Sequence, residues 1–287
     1  MGIEAKEFRI DFFKGVVGRG RELQTVENLL ATMSQSATCP AHKIDAFSYG
    51  IRDLQCFANG RSFKGIFCKY RHDEIPHIGA HGKPEHDILL DEDEGLIEKN
   101  HFLFIGKSKT LVYQANGHGS RATRMALYLT KYRNLDNGVY FEPILNNGHA
   151  RELLEGNGLP KTLTVSFARP EDPAFDTGIA FTQAAIDSLK HSGGHRMKIT
   201  ITPERGGRLT RSVKESLLQL VSSGVEVSAA KIEIEQDDGS FYPVDLIAQR
   251  LFARKKVTVI GKYPDPNEMF SALNNAYEEH APFLEVF

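Results

Sequence analysis

The hydrophobic period of this chain changes near its middle, and that change limits the folds open to it. Phe8, Ile10 and Phe12 alternate with Arg9 and Asp11, the two-residue period of a strand with one buried face, and the run ends at Gly15. Short strands follow around Ala46–Arg52 and Gly65–Lys69, joined by a turn at Asn59-Gly60, a pair that tolerates positive φ. His101–Ile105 and Thr110–Gln114 flank Gly106-Lys107-Ser108-Lys109, the length of a hairpin loop, so antiparallel pairing is expected there. Two helices interrupt this sheet-rich half. Leu23, Val26, Leu29, Leu30 and Met33 share one helical face between Arg21 and Met33, and Ser120 is placed to cap a helix that turns Met125, Ala126 and Leu129 inward.

Beyond residue 160 the pattern becomes strand, helix, strand. Strands are expected at Leu163–Phe167, Met197–Thr202, Lys231–Glu235 and Val257–Ile260. Helices are expected near Phe181–Lys190, Val213–Ser222, Val244–Leu251 and Asn267–Glu279. Only a short helical stretch around Leu153 lies in the glycine-bearing segment Asn146–Pro160, so the break between units is placed near Gly156-Gly158. The expected fold is α+β: a sheet-rich domain over 1–156, then an alternating α/β domain resembling a split βαβ unit over 157–287.

At 287 residues, 41% apolar and 25% charged, the chain has the length of two domains of about 150 residues and enough apolar side chains to fill their cores. Its longest apolar runs, such as Phe102–Ile105, fall far short of the roughly 20 residues that cross a bilayer, and no signal-peptide core is visible. A cytoplasmic location without membrane contact is therefore expected, with Cys39, Cys56 and Cys68 as reduced thiols. A net charge of -2 argues against a protein that coats nucleic acid by bulk charge and leaves room for local basic patches.

Such patches are present. Arg205, Arg208, Arg211 and Lys214 crowd the end of one expected helix, beside Gly206-Gly207, where a phosphate could meet backbone N–H groups. Arg250, Arg254, Lys255 and Lys256 in the second half, with Lys107, Lys109, Arg121 and Arg124 in the first, would extend them into a phosphate-tracking surface if folding gathers them. Cys39, His42, Cys68 and His72 carry the thiol and imidazole donors that zinc prefers, at spacings resembling two halves of a tetrahedral site. Asp91–Glu94 supplies carboxylates for a hard cation such as Mg²⁺, although consecutive acids in an extended chain point to opposite faces. Glu233, Glu235 and Lys231 loosely permit a metal-dependent nuclease but share one strand without a clear first acid. P-loop, GxSxG, HExxH and GxGxxG strings are all missing.

The run Gly65–Pro76 (GIFCKYRHDEIP), the run Asp93–Phe102 (DEGLIEKNHF), and Asp237-Asp238-Gly239 leading into Val244-Asp245-Leu246 resemble uncharacterised bacterial proteins found in prophages and defence islands. The resemblance spans most of the chain. It implies a setting in phage conflict or mobile-element biology and no catalytic residue. The resulting expectation is a non-enzymatic component of an antiviral system, without a cofactor, that binds DNA, RNA or a partner protein and works as a homo-oligomer or complex subunit. The alternatives are a Zn- or Mg-dependent nuclease and an oligomeric scaffold with a free sheet edge.

Overall fold

In the computed structural model the described residues are 4–17, 25–36, 39–58, 61–73, 75–91, 94–133, 138–146, 148–169, 180–222, 225–261 and 263–285. Leu23, the Asn59-Gly60 turn and Glu92-Asp93 lie outside them. The fold is mixed α+β with two sheets, as the change of period predicts.

The larger sheet is organised by β1 (Glu4–Val17). One edge of β1 pairs through Arg9–Lys14 with β6 (Thr110–Ala115), which forms a hairpin with β5 (Leu96–Ile105). The sheet continues outward through β4 (Ser62–Arg71), β3 (Phe47–Phe57) and β2 (His42–Ile44), every pair antiparallel. The opposite edge of β1 carries two strands end to end. β12 (Phe252–Ile260) pairs with Glu4–Asp11, and β7 (Val139–Pro143) pairs with Phe13–Val17. A two-residue strand, β13 (Tyr263–Pro264), closes the β12 edge.

Alternation along β1 sorts its side chains to the two faces. Phe13 joins the core under α1 (Val26–Ser34) and α2 (Ala122–Arg133), where Leu30, Met33, Met125 and Leu129 meet Phe67, Phe102 and Phe104. Ile10 and Phe12 point the other way, beneath α6 (Pro266–Leu284), with Leu103, Val112, Val257 and Leu273. Helix α6 starts where the sequence tells it to: Asp265 accepts from the Glu268 N–H at 2.9 Å and Pro266 occupies the first turn.

The second sheet has the order β11 (Phe241–Asp245), β10 (Val227–Glu235), β8 (Pro160–Ala168), β9 (Arg196–Ile201). Because β8 is antiparallel to both neighbours, β9 and β10 run parallel, joined by α5 (Ser212–Ser222) with β8 between them. This is the split βαβ arrangement. Leu163, Val165 and Phe167 of β8 pack under α5, α4 (Ala180–His191) and α3 (Gly148–Glu155) through Leu217, Leu220, Ile186, Ala150 and Leu154.

The two sheets divide the chain differently from a split at residue 156. Helix α3 and Leu145 belong to the second core, while β12, β13 and α6, expected in a 157–287 unit, belong to the first sheet. The second unit is thus an insertion between β7 and β12. Its entry and exit strands are stitched together: Asn146 N–H donates to Gln249 O at 2.8 Å and Leu251 N–H to Ile144 O at 2.7 Å. The reason is the edge of β1 over Glu4–Asp11, whose backbone groups need a partner and find it in β12. The expected helix at Val244–Leu251 is also corrected. Val244 lies in β11, which ends at Asp245, and Asp245 Oδ1 accepts from the Ile247 and Ala248 N–H groups at 3.0 Å, closing a turn.

Leu273→Ala, which removes a fully buried side chain between α6 and the sheet, is expected to lower stability by about 2–5 kcal/mol in chemical denaturation. Glu142 of β7 gives a pH-dependent case. Burial, reinforced by Glu155 and opposed by Arg151, raises its pKa, so folding disfavours the charged form. That penalty is present above the folded pKa and absent below the unfolded one. Glu142→Gln is therefore expected to raise the denaturation midpoint at neutral pH and to have little effect in acid, which melts across a pH series would show.

Candidate anion site between the two sheets

A cleft of about 450 Å³ opens where the inserted unit docks against the large sheet. Arg9, Asp11 and Phe13 form its floor, since alternation puts them together on the β1 face away from α6. One wall is the end of β6 and the start of α2, from Tyr113 to Thr123. The other comes from the insertion, with Val221, Val225, Val227 and Ile247, and Arg250 stands where the chain returns to the large sheet.

The start of α2 departs from expectation in a way that matters. Ser120 is not its cap: the helix begins at Ala122, which leaves Arg121 in the capping position. Ser120 is instead fixed by its backbone, donating its N–H to Asn100 Oδ1 at 2.7 Å and accepting from the Tyr113 hydroxyl at 2.9 Å. Gly119 is required here, because a Cβ would stand 2.4 Å from Asn100 Oδ1. The Ser120 hydroxyl, in a residue only 7% exposed, is buried without a hydrogen-bond partner among the described residues, and so is Thr123 Oγ1 one turn onward. Both residues line the cleft. The first N–H groups of any helix lack intrahelical acceptors, and no described side chain caps those of α2.

Three arginines, Arg9, Arg121 and Arg250, line the cleft against one carboxylate, Asp11. Arg9 Nε donates to Asp11 Oδ1 at 2.7 Å, and Arg250 Nε donates to Leu246 O at 3.1 Å. Arg121 has no hydrogen-bond or ion-pair partner among the described residues. Burial lowers the Arg250 pKa, and Arg9 and Arg121 lower it further against the pull of Asp11 and Asp245. Arginine stays charged even so. Excess positive charge and an uncapped helix start meet at one concave space, with Ser120 and Thr123 in its wall, which is the chemistry of an anion site.

The other cations expected to track phosphate are mostly engaged within the chain. Arg124 pairs with Asp45, Lys255 with Glu279, and Arg254 with Glu7 at 2.8 Å. Arg208 makes a two-pronged contact with Glu235 at 2.7 and 2.8 Å. Arg211 reaches Asn157 Oδ1, and buried Lys214 donates to the carbonyls of Leu153 and Gly156 that end α3. Arg205 and Lys256 remain exposed. The Gly206-Gly207 turn closes on Glu204 and precedes α5 by several residues, so it does not present a helix start to a ligand.

The four expected zinc ligands do not share a site. His42, paired with Tyr49, lies on the α2 face against Tyr128 and Tyr132, whereas Cys68 is paired with Gly50 and buried on the opposite face of the sheet. Burial pushes the Cys68 thiol up to about 11. Cys39 is half-buried beside Met33 O, and His72 is exposed beside Glu94 O. No group of three or more His, Cys, Asp or Glu suited to a metal ion occurs among the described residues. Lys231 pairs with Asp245 and Glu235 with Arg208, so two of the three residues of the loose nuclease set are held in ion pairs. No described helix is long and apolar enough to cross a membrane.

A family model matches residues 3–284 and is described as a family of unknown function, DUF6731. The chain belongs to DUF6731. No curated protein matches this DUF6731 chain. Sequence reasoning did reach Arg121 and Arg250 but passed over Arg9, Asp11 and Thr123. The signal for the first two was present: polar residues alternating with Phe8, Ile10 and Phe12 on a strand that proves to be central must face either water or a cavity.

Mutual repulsion among the three guanidiniums is a cost to folding. Arg121→Gln is therefore expected to leave the thermal midpoint of this DUF6731 protein unchanged or raised at low salt, with the difference shrinking as salt screens the charges. Scanning calorimetry at two ionic strengths measures it.

Proposed function

We propose that this protein is a non-enzymatic binding component of an anti-phage or mobile-element system, and that it captures the phosphate group of a nucleotide or nucleic acid in the cleft. The observation that carries the reading is the surplus of arginines lining a concave site at a helix start, with Ser120 and Thr123 in its wall, whose buried hydroxyls have no partner among the described residues. An isolated buried hydroxyl is costly unless something completes it, and a phosphate oxygen accepts from hydroxyl, guanidinium and backbone N–H alike. The cleft volume falls within the roughly 300–1,000 Å³ of small-molecule sites. Support for the biological setting is the likeness of the Gly65–Pro76 and Asp93–Phe102 runs to prophage and defence-island proteins. Action in the cytosol agrees with the free thiols of Cys39, Cys56 and Cys68.

The test is calorimetric titration with inorganic phosphate and a panel of nucleoside monophosphates at fixed ionic strength. A phosphate-bearing ligand at 100 times its Kd is expected to stabilise the fold by about 2.7 kcal/mol, and Arg121→Gln to weaken binding by roughly tenfold or more. If no phosphate compound binds in the millimolar range, or if binding ignores Arg9→Gln and Arg121→Gln, the reading is wrong.

A further inference from the structure

The cleft does not end at its rim. Pairing between β1 and β12 sets Glu7 opposite Lys256, Arg9 opposite Arg254 and Asp11 opposite Phe252, and directly paired residues point to the same side of a sheet. These six side chains therefore share the face that floors the cleft. The face opposite, with Ile10 and Val257, is the one covered by α6. Phe252 is unusual in this array. It is a large apolar side chain left 39% exposed, with the Arg9 guanidinium 4.4 Å and the Arg254 guanidinium 5.9 Å from its ring centre. Arg9 thus belongs both to the cleft and to this ring. Beyond it, Arg254 and Lys256 stand two residues apart on the same strand face, about 7 Å along it.

An exposed ring flanked by guanidiniums, with the cations Arg254 and Lys256 on the strand face that floors the cleft, is the arrangement that takes stacked bases and a tracked backbone. A duplex would need many phosphate contacts along both strands, and this ledge provides one short row. We infer that the ligand is the end of a single-stranded nucleic acid, its terminal phosphate in the cleft, a neighbouring base on Phe252, and the next phosphates against Arg254 and Lys256. This deepens the proposed function and rests on it. Arg254 would exchange Glu7 for phosphate at little cost, because its ion pair is exposed, with side chains 61% and 49% accessible.

Fluorescence anisotropy with a short single-stranded oligonucleotide, with and without a 5′- or 3′-phosphate, and with its duplex, tests the inference on the full chain. The phosphorylated single strand is expected to bind more tightly than its unphosphorylated form and than the duplex. Phe252→Ala should weaken it by about 5- to 150-fold, the range for one stacked base, while Phe252→Trp restores binding. Arg254→Gln and Lys256→Gln should each reduce the salt dependence by about one phosphate contact. Melts of the variants establish that they fold. Should folded Phe252→Ala bind the oligonucleotide as the parent does, or should the oligonucleotide bind no better than a nucleoside monophosphate, the inference fails and the cleft reading stands. Should neither class bind, both fail.

Discussion

The structure depends on the hydrogen-bonding edges of β1. This strand is paired along both sides, by β6 on one and by β12 and β7 in series on the other, so it sits at the centre of a sheet assembled from both ends of the chain. The Glu4–Val259 pair joins residues separated by nearly the whole sequence. Burial of Ile10 and Phe12 under α6 and of Phe13 under α1 and α2 follows from that placement, since a central strand has two faces to cover. The inserted unit is held at its neck by the short ladder of Ile144–Asn146 with Gln249–Leu251, and α5 comes to rest near β7.

That same placement creates the cleft. On the face where α1 and α2 give out, β1 carries Arg9 and Asp11 in place of apolar residues, and the insertion roofs them without filling the space. Polar side chains in a sheltered position are expensive unless satisfied, and folding satisfies some but not all of them. Asn100, Tyr113 and Gly119 hold Ser120 by its backbone, which leaves its hydroxyl unanswered at the mouth of α2. A residue pinned in this way loses little freedom when a ligand arrives, the usual advantage of a preorganised site.

The paired cations show how proximity in sequence misleads. Arg205, Arg208, Arg211 and Lys214 form a basic cluster as letters, yet Arg208 turns to Glu235, Arg211 to Asn157, and Lys214 inward to the carbonyls ending α3. The residues that do converge, Arg9, Arg121 and Arg250, are separated by more than a hundred positions and have no common motif. Ser120 had the composition of a helix cap but was diverted by Asn100, a residue on a different strand. Val244 and Leu251 have helical spacing because a strand end, a tight turn and a bridge happen to place apolar residues at that interval.

Local pattern by itself determined most of the elements: the alternation of β1, the β5–β6 hairpin, the helices α1, α2, α5 and α6, and the strand–helix–strand run of β8, α4, β9, α5 and β10. These are legible because each depends on side-chain period and turn chemistry within a few residues. Only tertiary structure decided that β12 and α6 return to the first sheet, that His42 and Cys68 fall on opposite faces, and that three distant arginines meet around an uncapped helix start. Strand partners and converging charges are settled by which backbone edges remain open after the nearer elements have paired, and no stretch of sequence carries that information alone.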